Sequence, residues 1–177
     1  MVASLENGTS AFAFSSEMAA VSLLMELFKP GDHIIADSNL YGESIRLFRN
    51  VSEKNCIKFS NIDCCRENIE NFITPDTKAL YIETPTNPMM NVTDISAVAK
   101  ITRKNNLLLI VDNTFMPPYF QNPLDFGADI VVHSGTKYLG GHNDTLAGFL
   151  VTYRTDISEK FAFLIKTTGA GLVPFDS

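Results

Sequence analysis

The chain has no tryptophan and three cysteines, and it is short of cations: 14 Lys plus Arg stand against 20 Asp plus Glu in 177 residues, a formal charge of −6. Without a Lys/Arg-rich run it lacks the electrostatic footprint that a phosphate backbone demands, so nucleic acid is not an expected partner. No apolar run approaches the roughly 20 residues of a spanning helix, which argues against a membrane partner. The start, MVASLENGTS, has no basic stretch followed by an apolar one and does not read as a signal peptide. Cys56, Cys64 and Cys65 are odd in number and lack CxxC spacing; they read as reduced thiols of a cytoplasmic protein, neither a disulfide frame nor a zinc site. His33, His133 and His142 lack metal-ligand spacing, and HExxH is missing, so no metal is expected. The nucleotide-hydrolase loop GxxxxGK[ST] is missing too. Gly169-Ala-Gly171 does not complete a dinucleotide fingerprint. Neither a repeat nor a low-complexity linker divides the chain, and its length suits one domain.

What is present is an alternation of short apolar runs with helix-length stretches. Strands are expected at residues 11–14, 33–36, 56–60, 79–83, 107–111, 129–133 and 146–152. Helices are expected near 18–28, 44–52 and 93–105, the first apolar almost all round and therefore buried. Ser15-Ser16 can cap that first helix, and Pro30-Gly31 stops it. Unbroken runs such as LLLIV suit strands covered on both faces. The last strand candidate follows its predecessor after a glycine-containing connection too short for a crossover helix, so it should run antiparallel. The expected fold is α/β, three-layer, with a mostly parallel seven-stranded sheet whose last strand is antiparallel.

Ligands of open parallel sheets bind at the carboxyl ends of the strands. The polar groups there are Ser15-Ser16-Glu17-Met18, residues 37–41, residues 83–87, Asp112-Asn113-Thr114 and Ser134-Gly-Thr-Lys137. Lys137 is either a nucleophile held in a partly desolvated site or a solvated loop lysine. Asp112 closes an apolar strand; it reads as a helix cap, as a metal-holding residue or as the partner of a protonated heterocycle nitrogen. Ser16 opens a buried helix whose free N–H groups suit an anion, although plain capping explains it equally well. Tyr41 either stacks on a planar ring or packs half-buried. Together, a lysine, an aspartate, hydroxyls at a helix N-terminus and a tyrosine are the parts that pyridoxal phosphate requires.

The sequence resembles the pyridoxal-phosphate enzymes of cysteine and methionine metabolism, among them cystathionine γ-synthase, cystathionine γ-lyase and methionine γ-lyase. The carriers of the likeness are VHSGTKYLGGHNDTLAG (132–148), YIETPTNP (81–88), IVDNTF (110–115) and LYG (40–42). The resemblance implies pyridoxal 5'-phosphate as cofactor and a fold type I large domain over residues 1–177, without the family's N-terminal arm and C-terminal domain. It implies Lys137 as the Schiff-base lysine and proton carrier, and Asp112 as partner of the pyridine nitrogen. Asn87 would lie near the phenolic oxygen. Ser134, Thr136 and the backbone N–H groups of Glu17 and Met18 would bind phosphate, and Tyr41 would stack on the ring and assist the leaving group.

The implied reaction is β/γ-elimination or γ-replacement on sulfur amino acids or activated homoserine, in a cytoplasmic homodimer or homotetramer. The alternatives are a non-catalytic cofactor-binding or dimerising remnant and another fold type I enzyme such as an aminotransferase. Glu17 departs from the family, which usually has glycine there; a carboxylate turned inward would oppose phosphate, so its side chain is expected to point away. Glu43 departs as well, where glycine or cysteine is common.

Overall fold

A computed structural model describes residues 1–173. Seven strands form one sheet: β1 (Ser10–Phe14), β2 (His33–Asp37), β3 (Lys58–Ile62), β4 (Thr77–Glu83), β5 (Leu108–Asp112), β6 (Ile130–Ser134) and β7 (Gly148–Thr152). Their order is β1-β7-β6-β5-β4-β2-β3. Strands β3, β2, β4, β5 and β6 pair in parallel, and β7 lies antiparallel to both β6 and β1. The last strand is thus the reversed one, as the short connection before it requires.

Side chains of a strand alternate between faces, and the alternation divides the core into two layers. Ile34, Ala36, Tyr81, Ile110, Val132 and Leu150 face one side. There they meet α2 (Glu17–Met25), α3 (Gly42–Leu47) and α5 (Thr155–Thr168), with Phe48 and Phe161 filling the layer. Ile35, Leu80, Ile82, Leu109, Val111 and Val131 face the other side, against Ile95, Val98 and Ala99 of α4 (Ile95–Lys104). The short α1 (Val2–Leu5) adds Val2 and Ala3 to that second layer. Every residue of β2 and β6 is buried, as suits strands covered on both faces.

Helix α2 is apolar around its circumference because it lies between the sheet and α5. It ends at Met25, short of the expected residue 28, because its last turn tightens: Glu26, Leu27 and Phe28 donate to carbonyls three residues back. The helix expected at 44–52 begins at Gly42, and after Leu47 it widens into a π-type turn, Phe48–Ser52. Strand β3 starts at Lys58 because Cys56 takes a left-handed conformation, φ 61°, that interrupts extended structure. Strand β7 starts at Gly148 because residues 141–146 form an exposed loop. Among the described residues no helix is long and apolar enough to cross a membrane.

Candidate functional site

The alternation that sorts the core also aims the strand ends. Glu83, Asp112 and Ser134 each follow a core residue of the α2-facing layer by two positions, so all three project toward α2 from adjacent strands. Glu83 and Asp112 are register partners. Above them opens a cavity of about 560 Å³ lined by Glu17, Met18, Tyr41, Asn87, Asp112, Ser134, Thr136 and Lys137, with Ser16, Glu83, Thr114 and Phe115. All eight residues singled out in the sequence therefore converge, although 120 positions separate Glu17 from Lys137.

Local hydrogen bonds set the donors. Asp112 Oδ1 accepts the Thr114 N–H at 3.0 Å, and Thr114 Oγ1 accepts the Ser134 N–H at 2.9 Å, which links the ends of β5 and β6. Thr136 Oγ1 accepts the Ala147 N–H at 3.3 Å, and Ala147 O accepts the Gly135 N–H at 2.7 Å. Ser16 caps α2 by accepting the Ala19 N–H at 3.1 Å. The first N–H groups of α2, those of Glu17 and Met18, have no acceptor within the helix and lie at the cavity wall. Lys137 breaks the helical run of residues 135–139 with ψ −121°. Its side chain lines the cavity and is exposed beside the open 141–146 loop.

Glu17 corrects an expectation. Its side chain does not point away: it is buried and lines the cavity beside Asp112 and Ser134. Burial, and then the adjacent Asp112, push its pKa up to about 9. Burial and Asp112 likewise push Glu83 up to about 8, against the lowering effect of the Tyr41 N–H that it accepts and of the nearby Asn87 backbone. Burial, then Asp112, Glu17 and Glu83, also drive the Tyr81 hydroxyl well above its ordinary value.

Two residues escaped the sequence reading. Glu83 was visible as a strand-end residue, but its hold on Tyr41 spans 42 positions and leaves no local mark. Gly148 is required by contact: a Cβ there would lie 2.3 Å from Ser16 O and 2.5 Å from Glu17 N, so only glycine lets β7 meet the start of α2. The histidines serve elsewhere. His33 bridges Thr77 and Ser60, and His133 pairs with the buried Glu6 on the opposite face. Among the described residues no cluster of His, Cys, Asp and Glu is arranged to hold a metal ion.

Comparison with known proteins gives a consistent answer. The family model described as "Cys/Met metabolism PLP-dependent enzyme" matches residues 1–177. A cystathionine gamma-synthase/O-acetylhomoserine (thiol)-lyase of Bacillus subtilis is 51% identical over 99% of this chain and 48% of its own length. A cystathionine gamma-lyase of the same organism is 47% identical over 100% of this chain and 47% of its own. The crystal structure of a cystathionine gamma-lyase from Lactobacillus plantarum, complexed with L-serine, superposes with a TM-score of 0.95 at 45% identity, covering 98% of this chain and 46% of that one. The chain spans about half the length of the curated relatives it matches. On this match along its full length, the chain belongs to the pyridoxal-phosphate-dependent enzymes of cysteine and methionine metabolism.

Proposed function

We propose that this chain holds pyridoxal 5'-phosphate in the strand-end cavity and is the cofactor-holding part of an enzyme that breaks or exchanges C–S bonds in sulfur amino acids or activated homoserine. The observation that carries the reading is the convergence of Lys137, Asp112, Ser134, Thr136, Tyr41 and Asn87 on one cavity of about 560 Å³. The donor set suits the group. A primary amine stands at the mouth, a carboxyl is held at the floor by Thr114, and hydroxyls and free helix N–H groups form an anion cradle. The close approach of Gly148 to the start of α2 shapes that cradle. Glu17, at the start of α2 beside that cradle, does not suit a phosphate ester.

When bound, the cofactor supplies an electron sink for substrate carbanions. Lys137 would carry the amine that attaches it and would move protons for the substrate. Asp112 would hold the ring nitrogen in its protonated form. Ser134 and Thr136 would donate hydroxyl hydrogen bonds to the phosphate, beside the N–H groups of Glu17 and Met18. Tyr41 and Asn87 would hold the ring from the cavity wall.

The names of the relatives, a γ-synthase and γ-lyases of cystathionine, support an amino-acid substrate and elimination or replacement chemistry. A homodimer or homotetramer is part of the reading, supported by the exposed apolar side chains of Met89, Met90, Tyr119 and Phe120. Work in the cytoplasm is supported by the free Cys56, Cys64 and Cys65. The inward Glu17 favours a second reading, in which the cofactor binds without turnover.

The test is to mix the protein with the cofactor, reduce with borohydride and map the product by mass spectrometry. A phosphopyridoxyl group on Lys137 is expected, and Lys137→Ala should carry none. Labelling that persists at other positions and ignores Lys137→Ala would sink the assignment.

A further inference from the structure

Glu17 starts α2 at the point where the N–H groups of the helix face the cavity, and its side chain is nine-tenths buried there. The carboxyl lines the same cavity as two residues from different strands, Asp112 at the end of β5 and Ser134 at the end of β6, and stands within electrostatic reach of both. Under the proposed function these two serve opposite ends of the cofactor, Asp112 the ring nitrogen and Ser134 the phosphate. A buried carboxyl that shares the cavity with both stands in the way of a ligand that would reach both.

Asp112 Oδ1 accepts the Thr114 N–H, so Oδ2 is the open oxygen, the one on which Glu17 and a pyridinium N–H would meet. The other titratable groups around Glu17 do not offer it a better partner. Glu83 from β4 and Tyr81 of the same strand add negative or neutral neighbours, and Tyr41 and Lys137 line the outer wall. A neutral Glu17 acid that donates its proton to Asp112 satisfies both carboxyls at once, in keeping with a pKa near 9.

We infer that Glu17 is an internal competitor for the cofactor site, holding Asp112 and Ser134 by hydrogen bonds that the cofactor must displace before it binds. The inference rests on the cofactor reading above. No bond is broken in the exchange. The Glu17 side chain rotates about its own torsions, keeps its proton, and surrenders Asp112 to the ring nitrogen and Ser134 to the phosphate. The consequence is weak cofactor capture, in a site whose remaining residues are arranged to hold it well.

The test compares the full chain with Glu17→Ala, Glu17→Gly and Glu17→Gln, each stripped of cofactor and checked for folding by circular dichroism. Titration with pyridoxal 5'-phosphate is followed by visible absorbance, with borohydride mapping at Lys137 as a second readout. Removing the competitor in Glu17→Ala or Glu17→Gly should tighten binding about tenfold or more, the worth of a hydrogen bond to a charged acceptor. Glu17→Gln keeps the length and an N–H donor for Asp112, so it should bind within a few fold of the parent. The infrared carbonyl band of a protonated carboxylic acid at neutral pH should weaken in Glu17→Gln before any cofactor is added. Glycine at this position costs helix propensity; if that variant unfolds, the alanine variant decides. Equal or weaker binding by Glu17→Ala, or no loss of the acid band in Glu17→Gln, overturns the inference alone. Failure of every variant to bind the cofactor overturns the cofactor reading, and this inference with it.

Discussion

A carboxyl oxygen of Glu83 accepts the backbone N–H of Tyr41 at 2.7 Å, tying the end of β4 to the start of α3. The same side chain lies near the Asn87 backbone, so one buried group sits between two segments that line the cavity. Tyr41 has no side-chain cap of its own at α3, which leaves Glu83 as the anchor of that helix start.

Glu83→Ala removes the acceptor of the Tyr41 N–H and should weaken cofactor binding about fivefold, the worth of one modest hydrogen bond. Glu83→Gln retains an acceptor oxygen and the volume, and should stay close to the parent. Cofactor titration by absorbance, with circular dichroism as the control for folding, checks the pair. An alanine variant that binds like the parent while the fold is intact would show that Glu83 does not position Tyr41.

Gly148→Ala tests the contact between β7 and α2. The added methyl would meet the backbone of Ser16 and Glu17 at 2.3–2.5 Å, and backbone cannot rotate aside as a long side chain can. A loss of about 1–3 kcal/mol is expected in urea unfolding, together with weaker cofactor capture because the anion cradle shifts. Unchanged stability would mean that the two segments separate at little cost.

Ser16→Ala removes the hydroxyl that caps α2 and should cost about 1 kcal/mol, while Ser16→Asp or Ser16→Asn, both good caps, should recover much of it. Denaturant midpoints measured on the three variants check the order. Equal midpoints for serine and alanine would assign α2 wholly to its tertiary burial.

Stability should fall as pH rises. Glu17 and Glu83 have folded-state pKa values of about 9 and about 8, both above the ordinary 4.5 of an unfolded glutamate. Between these limits the folded chain holds more protons than the unfolded chain, so unfolding becomes more favourable with each step in pH. Their contribution is fully present below about 4.5 and is lost as pH climbs through the folded values. Thermal melts across that range should show a declining midpoint, and Glu17→Gln should flatten the upper part of the decline. A midpoint that rises through the window, or a slope untouched in Glu17→Gln, would contradict the assignment.

Much of the architecture was legible before any coordinates. LLLIV and ALYIE state strands buried on both faces, because a run without polar alternation has no face for water. The short path from β6 to β7 forced the reversal of the last strand. Boundaries were less legible, and for local reasons: the left-handed Cys56 delays β3, and the tightened turn after Met25 shortens α2. The cavity residues were legible as well, since strand ends of a parallel sheet gather on one rim and each end carries polar side chains.

What the linear chain determined, then, is the alternation of strands and helices and the chemical types at each strand end. Those follow from burial periodicity and turn chemistry, which act over a few residues. Tertiary structure decided the rest: that Glu17 turns inward to Asp112 and Ser134, that Glu83 anchors Tyr41, that Gly148 must lack a side chain, and that Lys137 stands exposed. Each of these depends on which groups meet from distant positions, and a carboxyl turns toward whatever partner the fold has placed beside it, not toward its neighbours in the chain.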